Sequence, residues 1–431
     1  MKILFKNPLI LTMKDGPILM KKDLLVVDNI IARIEDNISI DGVDEIIDAA
    51  NTVLMPSFKN AHTHSAMTFS RSSSDDLSLA DWLNNCIFPM EEHLERGDVY
   101  HLSKGSFLEY LTGGVSACFD MYYSPLEIAR AALDFNFRVV ILGTPTSGRQ
   151  SIEELVETYK EINGYNDDLV SFQFGFHAEY TLSDDKLKGL KVLVKEFKAP
   201  ISTHSSETPF EVEGCKERRN GLTPVEFLNE NGLIDYGGTI FHGVALNDND
   251  IEILKKKNIS VVSCPGSNGK LASGIAPITK LVNRGINVAL GTDGAGSNNS
   301  LDMFKEMTLL YNFQKINDKT PLTTSAYEIL KMATVNGSKA MGLKNTDTIE
   351  VNKYADLILI DLDRPNMQLL NNIIANIVYS GSKDNIKLTM INRKIMYYNR
   401  QFYLNEDYHE IYAKQQEISD RLNKTNPYIK K

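Results

Sequence analysis

Short apolar runs recur along the whole chain, and what separates them changes twice. Over the first fifty residues, Leu9–Met13, Leu24–Val27 and Ile30–Ile34 are split by turn residues such as Asp15-Gly16-Pro17. That alternation predicts short antiparallel strands. It returns near the end, where Asp356–Asp361, Ile373–Tyr379, Ile386–Ile391 and Lys394–Tyr398 read as further strands. From about Asp407 the pattern is that of an amphipathic helix with a basic end.

Between these segments, strands alternate with helical stretches. Eight apolar runs end in polar or glycine-rich loops: Val53–Phe58, Ser116–Asp120, Arg138–Leu142, Ser171–Phe176, Pro200–Thr203, Thr239–Phe241, Ile259–Ser263 and Asn287–Gly291. Helical periodicity follows each, as in Ser183–Phe197 and Asp248–Lys257. Eight such units predict an α/β fold, a (β/α)8 TIM barrel. The flanking segments hold too few strands to stand alone, so both chain ends are expected to build one small discontinuous β-sandwich. The expected division is 1–55 for the first part of the sandwich, 56–344 for the barrel, and 345–431 for the second part with the C-terminal helix.

In such a barrel, catalytic groups lie at the C-terminal ends of strands. Here strand one runs into His62-Thr63-His64, strand four into His177, strand five into His204, strand six into His242 and strand eight into Asp293. In extended chain, residues i and i+2 point the same way, so His62 and His64 can face one ion. His204 and Asp293 would complete four ligands. Neutral imidazoles and a carboxylate suit zinc or a similar divalent metal. Glu207, three residues past His204, can reach a water whose pKa the ion lowers toward ~7, take its proton and deliver it to a substrate. His242 could polarise the attacking oxygen or hold the substrate. Asp293 could serve as both ligand and proton acceptor. Strand four carries no lysine to bridge two metals, so one ion is expected. His177-Ala178-Glu179 copies half of a zinc-deaminase signature, but the P-C-x-x-C half is missing.

Composition narrows the picture further. The chain has 431 residues, only eight histidines, and 46 basic against 56 acidic side chains, a formal charge of −10. That balance argues against a nucleic-acid partner, which demands a basic face. No apolar run approaches the ~18 residues of a membrane span, and the start has no leader-like apolar core. Cys86, Cys118, Cys215 and Cys264 form no pair pattern. A soluble cytoplasmic protein acting on a small molecule is the expectation.

The ordered set His62-x-His64, His177, His204-x-x-Glu207, His242 and Asp293 resembles the amidohydrolase superfamily in its mononuclear deaminase branch. Pro56–His64 is similar to the opening motif of that superfamily, Leu290–Gly294 with Ser297-Asn298-Asn299 to its closing one, and Ala355-Asp356-Leu357 with Asp361 to its return into the sandwich. Trp82-Leu83, Pro89-Met90-Glu91 and Leu271–Pro277 resemble the 5-methylthioadenosine/S-adenosylhomocysteine deaminases within it. The resemblance implies hydrolytic deamination of an adenine ring, with a purine nucleoside as substrate and a homo-oligomeric enzyme, dimer or tetramer. It implies that Glu91 holds ribose hydroxyls, and that His177, Trp82, Glu207 and Asp293 contact the substrate. Arg149 would face the substrate tail. Taken alone, Glu91 beside Glu92 reads as helix surface, Trp82 as core and Arg149 as a solvated loop residue. A sibling reading keeps the site and changes the ring to guanine, another aminopurine or a triazine. A non-enzymatic scaffold would be expected to have lost these ligands. Departures from the family pattern at Gly143, Phe176, Ser263 and Gly269 are expected to line the substrate mouth.

Overall fold

The computed structural model describes residues 1–14, 16–145, 150–165 and 167–426. Eight parallel strands, in sequence order, form one curved sheet: Phe58–Thr63, Val115–Met121, Arg138–Leu142, Val170–Gly175, Ile201–Ser205, Gly238–His242, Ile259–Ser263 and Val288–Leu290. They are called strands one to eight below. Strand eight returns to strand one, where Asp293 N–H donates to the His62 carbonyl at 3.0 Å. The approach is so close that a Cβ on Gly291 would lie 2.7 Å from His62 N. Inside the sheet, Ala61, Phe119, Val140, Leu142, Phe241 and Ala289 form one buried apolar cluster. Outside it, helices bury the other face, so parallel strands read as unbroken apolar runs.

The chain ends make two further sheets. One holds Ile30–Glu35, Asp23–Val27, Lys2–Lys6 and Glu45–Asp48 in that order. The other runs Gln401–Phe402, Lys394–Tyr398, Ile386–Ile391, Leu357–Asp361, Thr52–Pro56, Leu9–Leu11 and Leu19–Lys21. Ile3, Phe5, Leu24 and Val26 of the first sheet pack with Ile10, Leu54, Leu359 and Leu388 of the second in one cluster. This is a sandwich whose larger sheet interleaves strands from both ends.

Two expectations fail. The run Val53–Phe58 is not strand one. Thr52–Pro56 pairs with Leu357–Asp361 in the sandwich, and the barrel strand starts at Phe58. The switch falls at Ser57, whose N–H donates to the Asp356 carbonyl at 3.1 Å, while Phe58 N–H turns to Gly114 O at 2.9 Å. Ile373–Tyr379 is a helix, not a strand. Asn372 caps it by accepting Ala375 N–H at 3.0 Å. Its buried residues Ile374, Ile377 and Val378 follow helical spacing.

The C-terminal helix spans Tyr408–Asn423 and carries Arg421 in its last turn; residues 427–431 lie outside the described residues. Gln415 from this helix lies against the helix Asp98–Thr112 where Gly105 leaves room, since a Cβ there would sit 1.8 Å from Gln415 Nε2. No helix among the described residues is long and apolar enough to cross a membrane.

Candidate active site

The C-terminal ends of strands one, five, six and eight bring five side chains together. Asp293 Oδ1 lies 3.1 Å from His64 Nε2 and 3.6 Å from His62 Nε2. His204 Nε2 is 3.1 Å from His62 Nε2. Donor atoms of His62, His64 and His204 lie within 4.8 Å of one another, and so do those of His62, His242 and Asp293. Strand geometry accounts for the first pair: His62 is the penultimate residue of strand one and His64 lies just past its end, two residues on and on the same side.

The rings are aimed from behind. His64 Nδ1–H donates to the Met121 carbonyl at 2.5 Å, and His204 Nδ1–H to the His177 carbonyl at 2.7 Å. A carbonyl only accepts, so each Nδ1 carries a proton and each Nε2 is aimed at the centre, where His64 Nε2–H meets Asp293 Oδ1. Burial pushes His62 and His204 well below the usual imidazole range, which keeps them neutral. His62 Nδ1 is buried with no hydrogen-bond partner, and its ring stacks on Phe241 at 3.9 Å. Burial would raise Asp293, but the His64 hydrogen bond and the surrounding imidazoles hold it well below the carboxylate range. Two neutral imidazoles, the His64 imidazole that Asp293 raises to about 9 against its burial, and one ionised carboxylate converge in a buried space; a divalent cation fits there in place of the His64 proton.

Asp293 is also anchored. Its Oδ1 accepts Gly294 N–H at 2.8 Å, and its Oδ2 accepts the hydroxyls of Ser267 at 2.6 Å and Ser297 at 2.7 Å. Ser206, His242 and Asp293 all adopt left-handed backbone, with φ of 53°, 69° and 62°. Such conformations cost free energy in residues other than glycine and concentrate at functional sites.

Glu207 is buried, and its Oε2 lies 3.8 Å from His242 Nε2. Burial lifts its carboxyl to about 7, against the opposing pull of His242. Its backbone is held by Glu211, whose two carboxylate oxygens accept Ser206 N–H at 3.0 Å and Glu207 N–H at 2.7 Å. His242 Nδ1 meets Asn268 Oδ1 at 2.8 Å.

A cavity opens over this cluster, lined by Trp82, Glu91, Tyr122, His177, Glu207 and Asp293 among others. Glu91, on the short helix Phe88–Glu91, is buried and accepts the Tyr122 hydroxyl at 2.7 Å. Burial lowers His177 to about 4, leaving a neutral ring whose Nδ1 sits 3.3 Å from Thr181 Oγ1. Trp82 Nε1 is buried without a partner. Trp82 and Glu91 are therefore cavity wall, rather than plain core and helix surface. Arg149 lies outside the described residues.

The expectation for Gly143, Phe176, Ser263 and Gly269 does not hold, because none of them lines this cavity. A Cβ on Gly143 would meet Leu155 at 2.1 Å, and one on Gly269 would meet Phe313 at 3.1 Å. Phe176 and Ser263 are buried. Their neighbours Thr144 and His177 reach the cavity instead. Glu179 is occupied elsewhere, bound by Arg218 and Arg219 at 2.6 Å each. Sequence reasoning missed Ser267, Asn268, Tyr122 and Glu211. The strand-end rule that exposed the histidines also points to Ser267-Asn268, just past strand seven.

A barrel with this donor set at its C-terminal mouth and a sandwich made from both chain ends has the architecture of the amidohydrolase barrels. The chain belongs to the amidohydrolase family, whose sequence profile matches residues 53–396. It is 38% identical over 402 residues to a 5-methylthioadenosine/S-adenosylhomocysteine deaminase of Thermococcus sibiricus, spanning 92% of this chain and 94% of that one. It is 36% identical over 428 residues to a 5′-deoxyadenosine deaminase of Methanobrevibacter smithii, spanning 97% and 98%. Its fold matches the crystal structure of an adenosine deaminase from Xanthomonas campestris with bound zinc, at a TM-score of 0.91, 27% identity and 98% of both chains.

Proposed function

We propose that the protein is a metal-dependent hydrolytic deaminase of 5′-substituted adenosines. The substrate group is 5′-methylthioadenosine, S-adenosylhomocysteine and adenosine, and the products are ammonia and the inosine analogue. The observation that carries this reading is the meeting of His62, His64, His204 and Asp293 with Glu207 and His242 under a cavity walled by Glu91. The names of the relatives support the same substrate class.

In this reading His62, His64, His204 and Asp293 hold one divalent ion, zinc being the best match to the donors. Such an ion acidifies water and supplies a nucleophile at neutral pH. The carbon–oxygen bond forms at C6 of the ring, and the carbon–nitrogen bond to the amino group breaks. Asp293 and His242 stand where they can take the proton of the attacking water. Glu207 gives its proton to the ring nitrogen beside C6, then takes the proton of the new hydroxyl on C6 and passes it to the amino group, which leaves as ammonia; the proton taken from the attacking water returns to Glu207. Glu91, aimed by Tyr122, accepts hydrogen bonds from the ribose hydroxyls. His177 and the free Trp82 N–H contact the nucleoside, and Arg149 faces the 5′ substituent. The reading extends to a cytoplasmic homo-oligomer.

Zinc-loaded protein should release ammonia from at least one of the three nucleosides. Glu207→Ala should keep its metal and lose turnover by about 10²-fold or more. Wild-type protein inert toward all three would sink the substrate class. A Glu207→Ala variant of normal activity would refute the proton shuttle.

A further inference from the structure

The short helix Pro265–Lys270, after strand seven, supports two of the proposed acid–base groups from behind. Its Ser267 hydroxyl donates to Asp293 Oδ2 at 2.6 Å, and its Asn268 side chain meets His242 Nδ1 at 2.8 Å. The helix has no side-chain cap of its own at Cys264. Glu306, from the helix Met303–Asp318, supplies one: its Oε2 accepts Gly266 N–H at 2.8 Å. A carboxylate there satisfies an orphan donor and complements the helix dipole.

The other oxygen of Glu306 reaches the turn after strand eight. Oε1 accepts Asn298 Nδ2–H at 2.8 Å. The Asn298 amide is oriented from both ends, since Nδ2 also donates to Thr292 O at 2.7 Å and Oδ1 accepts from Lys305 Nζ at 3.3 Å. Ser297, the adjacent residue, gives Asp293 its second hydroxyl at 2.7 Å. One fully buried carboxylate thus ties together the two segments that aim Asp293 and His242. Its approach requires glycine at 266, where a Cβ would stand 2.5 Å from Glu306 Oε1 and 2.6 Å from the Asn298 amide. That gives a physical reason for the Ser263-Cys264-Pro265-Gly266 end of strand seven.

We propose that Glu306 is a positioning residue of the hydrolytic site, setting Ser267 against Asp293 and Asn268 against His242. The proposal rests on the hydrolytic reading above. A carboxylate is needed because both neighbours donate; a carboxamide would turn an NH2 group against one of them. Groups that support metal ligands in this way typically carry about 10- to 100-fold of metal affinity or activity.

The test uses the full chain, loaded with zinc, as wild type, Glu306→Gln, Ser267→Ala and the double variant. Zinc retention is measured by competition with a chelator, and kcat and KM with any adenosine analogue that the wild type turns over. Glu306→Gln should weaken zinc retention and lower kcat by about 10- to 100-fold, with KM held within about threefold. Ser267→Ala should shift zinc retention in the same direction, and the double variant should fall short of the product of the two effects. A lower unfolding midpoint with unchanged kcat and zinc retention would make Glu306 merely structural and overturn the proposal. So would fully multiplicative effects. If Glu306→Gln does not fold, Ser267→Ala decides, and unchanged zinc retention overturns the link. A wild type inert toward every nucleoside refutes the substrate reading, while the zinc competition still decides this one.

Discussion

Glu91 and Lys59 are two buried charged residues with opposite lessons. Glu91 sits in a cavity wall, where it accepts the Tyr122 hydroxyl and faces the space proposed for the nucleoside. Glu91→Gln should raise KM for nucleosides by about 10- to 100-fold and leave turnover of the free base unchanged; equal effects on both would remove ribose recognition from its role. Lys59 is fully buried at the start of strand one, where its Nζ donates to Ser57 Oγ at 2.8 Å and Ser116 Oγ at 3.0 Å. Burial lowers it from 10.5 to about 8. Between those values the unfolded chain holds a proton that the folded chain does not, so this group makes the fold more stable as pH rises through that window. Below about 8 its cost is constant. Lys59→Met should therefore lose its stability advantage over wild type as pH climbs from about 8 to 10.5, read as the difference in urea unfolding free energy. A flat difference would contradict the shift. The histidine order was legible in the sequence because strand ends in a barrel share one mouth. The same rule points to the region of Ser267 and Asn268, but hydroxyls and amides occur everywhere, so their roles emerge only from their distances to Asp293 and His242.

At the scale of elements, most strands of the barrel could be read from their apolar runs, since both faces of a parallel sheet are buried. Errors arose where local pattern was ambiguous. The run from Val53 to Phe58 reads as one strand, yet it serves two sheets, with the change of partner at Ser57, just after Pro56. Ile373–Tyr379 has the β-branched composition of a strand, but Asn372 starts a helix and its apolar face packs inward. The junction of strands eight and one depends on Gly291. Gly291→Ala puts a methyl group against the backbone of His62 and is expected to destabilise the fold by about 1–3 kcal/mol. It should also weaken zinc retention, because His62 moves with the strand; retention equal to wild type would show that strand one does not transmit the shift.

Across the whole molecule, barrel and sandwich are joined by a buried ion pair at the end of the barrel opposite the site. Arg138 Nε donates to Asp356 Oδ2 at 2.7 Å and Nη2 to Oδ1 at 3.3 Å, and both side chains are buried. Asp356 Oδ1 also accepts Asn392 N–H at 3.0 Å. Arg138→Met leaves that carboxylate buried without its cation and should cost about 3–5 kcal/mol of stability. Arg138 begins strand three, while the site lies past the strand ends, so kcat per folded molecule should stay unchanged. A parallel loss of kcat would show that the sandwich reaches the chemistry.

The sequence by itself determined the class of fold and the order of the strand-end residues proposed to hold a metal and move protons, His62, His64, His204, Glu207, His242 and Asp293. Period and strand-end position carry that information locally, and eight histidines leave little noise around it. Only the tertiary structure decided which segment of Val53–Thr63 enters the barrel, that Trp82 and Glu91 wall the cavity, and that Glu306 reaches Gly266 from forty residues away. Those outcomes depend on hydrogen bonds and close approaches between distant segments, and such contacts leave no periodic mark on the chain.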